Sequence, residues 1–215
     1  MSQTVKQSTL HQSVYLRIKQ SILDGDFVPG RPVTIRGLAS DLEVSPMPVR
    51  EALKRLTSER ALQISDTGRV SVPTMTNKKL EELVRARICL EKQAAIDALP
   101  HVTPNLIARL KKTDQRVNRM IRKGDHKGYL ISHRKFHFDL YKAGSGTVFL
   151  PLIESIWLQV SPFLSYTLEH LDAYDSNDRH VEIIHALESK DGTALGFAVE
   201  ADIRQGLGSL ADSDW

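Results

Sequence analysis

Several things are scarce in this chain. Among its 215 residues there is one cysteine, Cys89. That excludes an internal disulfide framework and suits a reducing compartment. No apolar run approaches the ~18–20 residues that a membrane helix needs. The first residues, MSQTVKQSTLHQS, lack the apolar core of an export signal, so a cytoplasmic location is expected. Internal repeats and low-complexity segments are missing too. Net charge is small, +3, but unevenly placed. Residues 1–75 hold ten Lys/Arg and seven Asp/Glu, whereas residues 76–215 hold nineteen of each. The excess in the first third hints at a polyanionic partner there. Histidine is biased the other way, with seven of eight after residue 100.

What is present in the first third follows a helical period. HQSVYLRIKQSILDG places Val14, Ile18 and Ile22 on one face, with Gly25 as a stop. FVPGRPV is a turn. Thr34 can cap a second helix with Ile35, Leu38 and Leu42 as its stripe. After a short turn, Ser45 can cap a third helix. Pro46 and Pro48 sit among its first residues, whose N–H groups have no intrahelical acceptor, so both prolines are tolerated and stiffen the start. Val49, Leu53 and Leu56 point inward; Arg50, Lys54 and Arg55 remain outside. ALQISDTGRVSVP reads as two strands around a turn. Helix, helix, turn, basic helix and hairpin is the order of a winged helix-turn-helix. A helix N-terminus attracts phosphates, and an exposed arginine can reach base edges in a major groove. The same pattern also fits a structural module with a solvated charged face.

The segment ILDGDFVPGRPVTIRGLASDLEVSPMPVREALKRLTSERAL, continued through DTGRVSVP, strongly resembles the GntR family of bacterial transcription regulators. The resemblance implies that Arg36 and Arg50 contact operator DNA and that Ser45 and Met47 form the start of the recognition helix. It places Thr67 and Gly68 at the wing tip, in or beside the minor groove. Three departures stand out. Pro46 replaces a common arginine, and Glu43 and Arg60 replace common glycines. A positive φ at Glu43 would cost on the order of 1 kcal/mol. These departures bear on operator preference more than on DNA binding itself.

Residues 76–215 read as six amphipathic helices joined by short connections, an antiparallel bundle. Starts and stops are marked by Thr76, by Thr103–Pro104 and by Gly124, and Pro162 interrupts the fourth of these helices. His133 and His137, four apart, share one helix face with Leu130 and Leu140. Such a pair can chelate a divalent cation; for the pair taken alone, core histidines satisfied by hydrogen bonds are the commoner explanation. His180 begins a later helix, with His185 facing elsewhere, and Asp202 lies within the last.

LEELVRARICLE, HRKFHFDLYKAG, RHVEIIHAL and KDGTALGFAVEADI resemble the FCD ligand-binding domain, in its shorter, VanR-like six-helix form. Many such domains bind a metal through one aspartate and three histidines. Laid on this chain, those positions are His133, His137, His180 and Asp202, with the first and last ligand types exchanged. Such a set suits Zn²⁺, Ni²⁺ or another first-row ion. The resemblance further implies an organic carboxylate effector, with Arg87 as its charge partner; the alternative for Arg87 is an ion pair to Glu91 at i+4. Trp157, Gln159 and Tyr166 are candidates for lining the pocket.

The expectation is therefore a mainly α protein. A winged helix-turn-helix over residues 1–75 precedes an FCD-like helical effector and dimerisation domain over 76–215. It is expected to act as a homodimeric, effector-controlled repressor of double-stranded operator DNA, and not as an enzyme. A direct metal-responsive regulator and a metalloenzyme are the alternatives. No paired nucleophile and base stands near His133 or His180 to favour the last.

Overall fold

The computed structural model describes residues 2–65, 69–144, 146–170 and 179–208; for 2–8, 166–170 and 207–208 it describes the backbone. Helix α1 (Ser2–Leu23) begins about two turns before the expected start at His11. No proline or glycine precedes Gly25, so nothing in the sequence halts the helix earlier. Its buried stripe is Val14, Tyr15, Ile18 and Ile22. Helix α2 (Ile35–Asp41) starts at Thr34, whose Oγ1 accepts from the Gly37 N–H at 3.0 Å. Helix α3 (Pro46–Ser58) buries Val49, Ala52, Leu53 and Leu56 against α1.

Strands β1 (Gln63–Ile64) and β2 (Val70–Ser71) pair antiparallel, with Gln63 opposite Ser71 and Ile64 opposite Val70. Val33, read from sequence as part of a turn, adds a third rung: its N–H donates to the Val70 carbonyl at 2.8 Å. One paired residue before a helix leaves no period-two pattern to detect. The expected wing tip, Thr67 and Gly68, lies outside the described residues.

Glu43 and Arg60, the two replacements of common glycines, both adopt left-handed backbone, at φ 55° and 61°. Each carries a Cβ where glycine would relieve strain.

The expected boundary between residues 75 and 76 falls in the stretch linking β2 to α4 (Asn77–Ala98). Thr76 caps α4 through the Lys79 N–H. A 3-10 turn, Leu99–His101, leads to α5 (Pro104–Lys123), which Thr103 caps and Gly124 ends at φ 64°. Helices α6 (His126–Tyr141), α7 (Phe149–His170, running through Pro162), α8 (His180–Ser189) and α9 (Gly192–Gly208) follow. In the bundle α5 packs on α6 and α8, α4 on α9, α7 and α6, and α8 on α9.

The winged module is seated on this bundle through α1. Lys19 pairs with Glu154 of α7 at 2.6 Å, Arg134 of α6 with Asp24 at 2.7 Å, and Lys127 with Asp26 at 2.5 Å. Gly25, at φ 81°, lies between them. A Cβ there would sit 2.6 Å from Ser165 Oγ and 2.9 Å from Leu130 Cδ1. Gly25 therefore does more than end α1; it permits the close approach of module and bundle.

Candidate metal centre and nucleic-acid face

Ser45, the N-cap of α3, and Met47 in its first turn are exposed, as are Arg50 just behind that turn and Arg36 on α2. Met47 is 59% exposed although apolar. Pro48, by contrast, is buried. Ser45 occupies the N-cap position with extended backbone, yet its hydroxyl makes no cap bond. The reason is local. A capping oxygen accepts from the second or third helical N–H, and the third residue is Pro48. Of the four donors a helix start ordinarily leaves free, Pro46 and Pro48 remove two. The phosphate-attracting end is thus poorer in N–H groups than the general argument assumes. Arg55 is drawn away: its guanidinium stacks 3.7 Å from the Tyr15 ring centre and its Nε bonds Glu59.

The second site is buried in the bundle. The ligating atoms of His133, His137, His180 and Asp202 all lie within 4.8 Å of one another. Helix α6 supplies the first two from one face, α8 supplies His180 from its first residue, and α9 supplies Asp202. His185 is exposed, as the helical phase requires.

The neighbours decide which nitrogens face inward. Tyr141 donates its hydroxyl proton to Glu91 Oε2 at 2.9 Å, so its oxygen accepts from His137 Nδ1–H at 3.1 Å. Asp114 Oδ1 likewise accepts from His180 Nδ1–H at 3.0 Å. Both rings therefore turn Nε2, with its lone pair, toward Asp202. His137 Nε2 lies 3.1 Å from Asp202 Oδ2 and 3.3 Å from His133 Nε2; His180 Nε2 lies 3.9 Å from Asp202 Oδ1, and His133 Nε2 lies 4.0 Å from Oδ2. Despite that proximity, Asp202 Oδ2 and His133 Nδ1 are buried without an aligned hydrogen-bond partner. Lone pairs and a carboxylate converging in a dry site repel one another unless a cation or protons lie between them. This donor set fits a divalent metal ion.

Electrostatics agree with that arrangement. Burial, reinforced by His137 and His180, holds the His133 imidazole well below its ordinary value and hence neutral, the form that ligates. Burial alone would raise the Asp202 carboxyl; positive charge among the facing rings, His137 first, outweighs it and holds it below its ordinary value, the part a bound cation would take instead. The carboxyl stays ionised.

Behind the cluster lies Glu91, fully buried and saturated. It accepts from Arg87 Nε at 2.5 Å and Nη2 at 3.2 Å, from Tyr141, and from Trp157 Nε1 at 3.1 Å. Arg87 is 2% exposed and its guanidinium also lies 4.5 Å from the Trp157 ring centre. Of the two sequence readings for Arg87, the ion pair to Glu91 is the one formed. Trp157 does border the cluster, 5.7 Å from the His133 ring and 5.8 Å from that of His137. Gln159 turns back to the Ser155 carbonyl instead, and the Tyr166 side chain lies outside the described residues. Glu91, Tyr141 and Asp114 were not singled out from sequence as site residues. Signals existed: Tyr141 continues the 133–137 spacing, and Asp114 is the one acid in a helix with seven basic residues.

Residues 10–72 match the bacterial regulatory proteins, gntR family, and residues 82–205 match the FCD domain. The chain belongs to the GntR family. Its FCD domain covers more than half of it, and it is a transcriptional regulator. It is similar to the HTH-type transcriptional regulator McbR of Escherichia coli (strain K12), 29% identical with 96% of this chain and 95% of that one covered. The gluconate operon transcriptional repressor of Bacillus subtilis (strain 168) is 26% identical, over 83% and 75%. Among solved structures, E. coli McbR/YncC superposes with a TM-score of 0.86 at 26% identity, covering 93% of this chain and 95% of that one. A GntR regulator from Rhodococcus sp. RHA1 shares the fold at TM-score 0.77 and 20% identity, over 95% and 99%. These relatives are DNA-binding regulators and not enzymes, so the metalloenzyme alternative falls.

Proposed function

We propose that this GntR-family protein is a homodimeric, cytoplasmic repressor whose hold on operator DNA is set by ligation in the FCD domain. The observation that carries the reading is the buried set of three imidazoles and one carboxylate with converging Nε2 atoms, in a bundle seated against the winged module. Arg36, Ser45, Met47 and Arg50, with Thr67 and Gly68 at the wing, form the DNA contact. Two copies read two half-sites of a near-palindromic operator. His133, His137, His180 and Asp202 hold a first-row divalent ion, Zn²⁺ or Ni²⁺ by ligand type. When bound, the ion supplies a Lewis-acid position for a carboxylate oxygen of a small organic acid. Arg87, beside the cluster, supplies the positive field that favours that anion, and Asp202 and Glu91 set the charge it meets. The effector then shifts the population between DNA-competent and incompetent arrangements.

Burial of Arg87 and its pairing with Glu91 favour a second reading, in which the metal itself is the signal. One experiment separates the two. Operator duplex selected from a random pool is titrated with protein stripped of metal, with metal restored, and with metal plus a panel of small carboxylates. A response to metal alone supports the sensor; a response needing both supports the effector reading. No metal in the purified protein, and no thermal shift with added Zn²⁺ or Ni²⁺, would overturn both.

A further inference from the structure

Helix α5 carries a charge pattern that neither the winged module nor the buried cluster uses. It has seven basic residues, Arg109, Lys111, Lys112, Arg116, Arg119, Arg122 and Lys123, all exposed. Its one acid, Asp114, is buried on His180. The rest of residues 76–215 holds twelve basic against eighteen acidic residues, so the positive charge of this neutral region is concentrated on one helix.

An ordinary solvated face mixes signs, as α4 does with Lys78, Lys79, Glu81, Glu82 and Arg85. On α5 only Arg109, with Asp139, and Lys111, with Glu188, form ion pairs among the described residues. Arg122 and Lys123 complement the negative end of the helix dipole. That leaves Lys112, Arg116 and Arg119, which together with Lys123 follow spacings of four, three and four along one stripe of about 16 Å. Like charges at those spacings cost helix stability, so the stripe does not serve the fold.

The geometry points to this stripe as a second DNA-contacting surface, gripping phosphates outside the half-site read by α3. Three features favour duplex DNA as the occupant. The chain is a DNA-binding regulator, so duplex is its standing polyanion. The stripe mixes Arg with Lys and matches a row of phosphates in charge. Its C-terminal end lies toward the winged module, since α6 follows directly and Lys127 in its first turn reaches Asp26. A membrane surface fits poorly. Leu106, Leu110 and Val117, the apolar residues such a helix would insert, are buried in the bundle.

The test compares the full chain with a variant carrying K112Q, R116Q, R119Q and K123Q, all at exposed positions, after thermal melting confirms that both fold. Binding to a long random-sequence duplex is measured across a salt series, with Arg50→Ala as a control for the winged module. The variant should show a shallower dependence of log K on log salt, by roughly 0.9 for each phosphate that the stripe no longer neutralises. R116K and R119K should retain the wild-type slope. Acylation of Lys112 and Lys123 should be slowed by duplex. An unchanged slope in the glutamine variant, with no protection of the lysines, would overturn the proposal while leaving α3 as the reader. Loss of binding to phosphatidylglycerol vesicles with an unchanged DNA slope would overturn it in favour of a lipid surface. If the wild-type chain binds no duplex, the DNA reading fails as a whole.

Discussion

His180 Nδ1 stands 3.0 Å from Asp114 Oδ1, a contact between α8 and α5 across 66 residues of sequence. It sets the tautomer of a ring whose other nitrogen faces the cluster. Groups that orient metal-binding histidines typically contribute ten- to a hundredfold in affinity. Asp114→Ala should therefore weaken Zn²⁺ or Ni²⁺ binding by about that factor, read by competition with a chromophoric chelator. An affinity equal to wild type would remove Asp114 from the site.

Arg50 stands exposed on α3, behind a first turn depleted of N–H donors by its prolines. Arg50→Ala should cost about 1–3 kcal/mol of specific operator binding if the side chain reads a base, and should relax sequence preference at that position. Specific and random duplexes measured at one salt concentration report both effects. A uniform loss on the two would reassign Arg50 to phosphate.

Glu43 holds φ 55° and exposes its side chain. Glu43→Gly removes left-handed strain of about 1 kcal/mol and gives back part of that in unfolded-chain entropy. A net gain of a few tenths to about 1 kcal/mol is expected in denaturant unfolding. A loss would mean that the Glu43 side chain makes a contribution its exposure does not suggest.

Gly25→Ala should act in the opposite direction. It combines a φ of 81° with overlap on Ser165 and Leu130. Strain and overpacking together should cost about 2–3 kcal/mol. A neutral outcome would show that the module can lift off the bundle at little cost.

Acid should destabilise the metal-free protein. The native His133 imidazole is held below its ordinary value, so the unfolded chain takes up a proton that the native one does not. Stability then falls as pH drops through about 6.5, by up to about 1.4 kcal/mol per pH unit. Asp202, lowered in the native state, adds a loss only below pH of about 4. His133→Gln should flatten the Tm profile between pH 7 and 5. An unaltered slope in that variant would place the acid sensitivity elsewhere.

Much of this protein is set by local sequence. Caps at Thr34, Thr76 and Thr103, the stop at Gly124 and one-sided apolar stripes place the helices, because each acts over one or two turns. The i,i+4 spacing likewise puts His133 and His137 on one face. Only the tertiary structure decided which distant groups serve them. Glu91 meets Tyr141 across 50 residues and Trp157 across 66, while Asp202 meets His137 from another helix. It also seated the winged module through Lys19, Asp24 and Gly25, and committed Arg87 to Glu91 rather than leaving it open. Periodicity tells which side of a helix is buried. What that side touches depends on how whole helices pack, a choice made by the sum of many burial and polar terms that no short stretch contains.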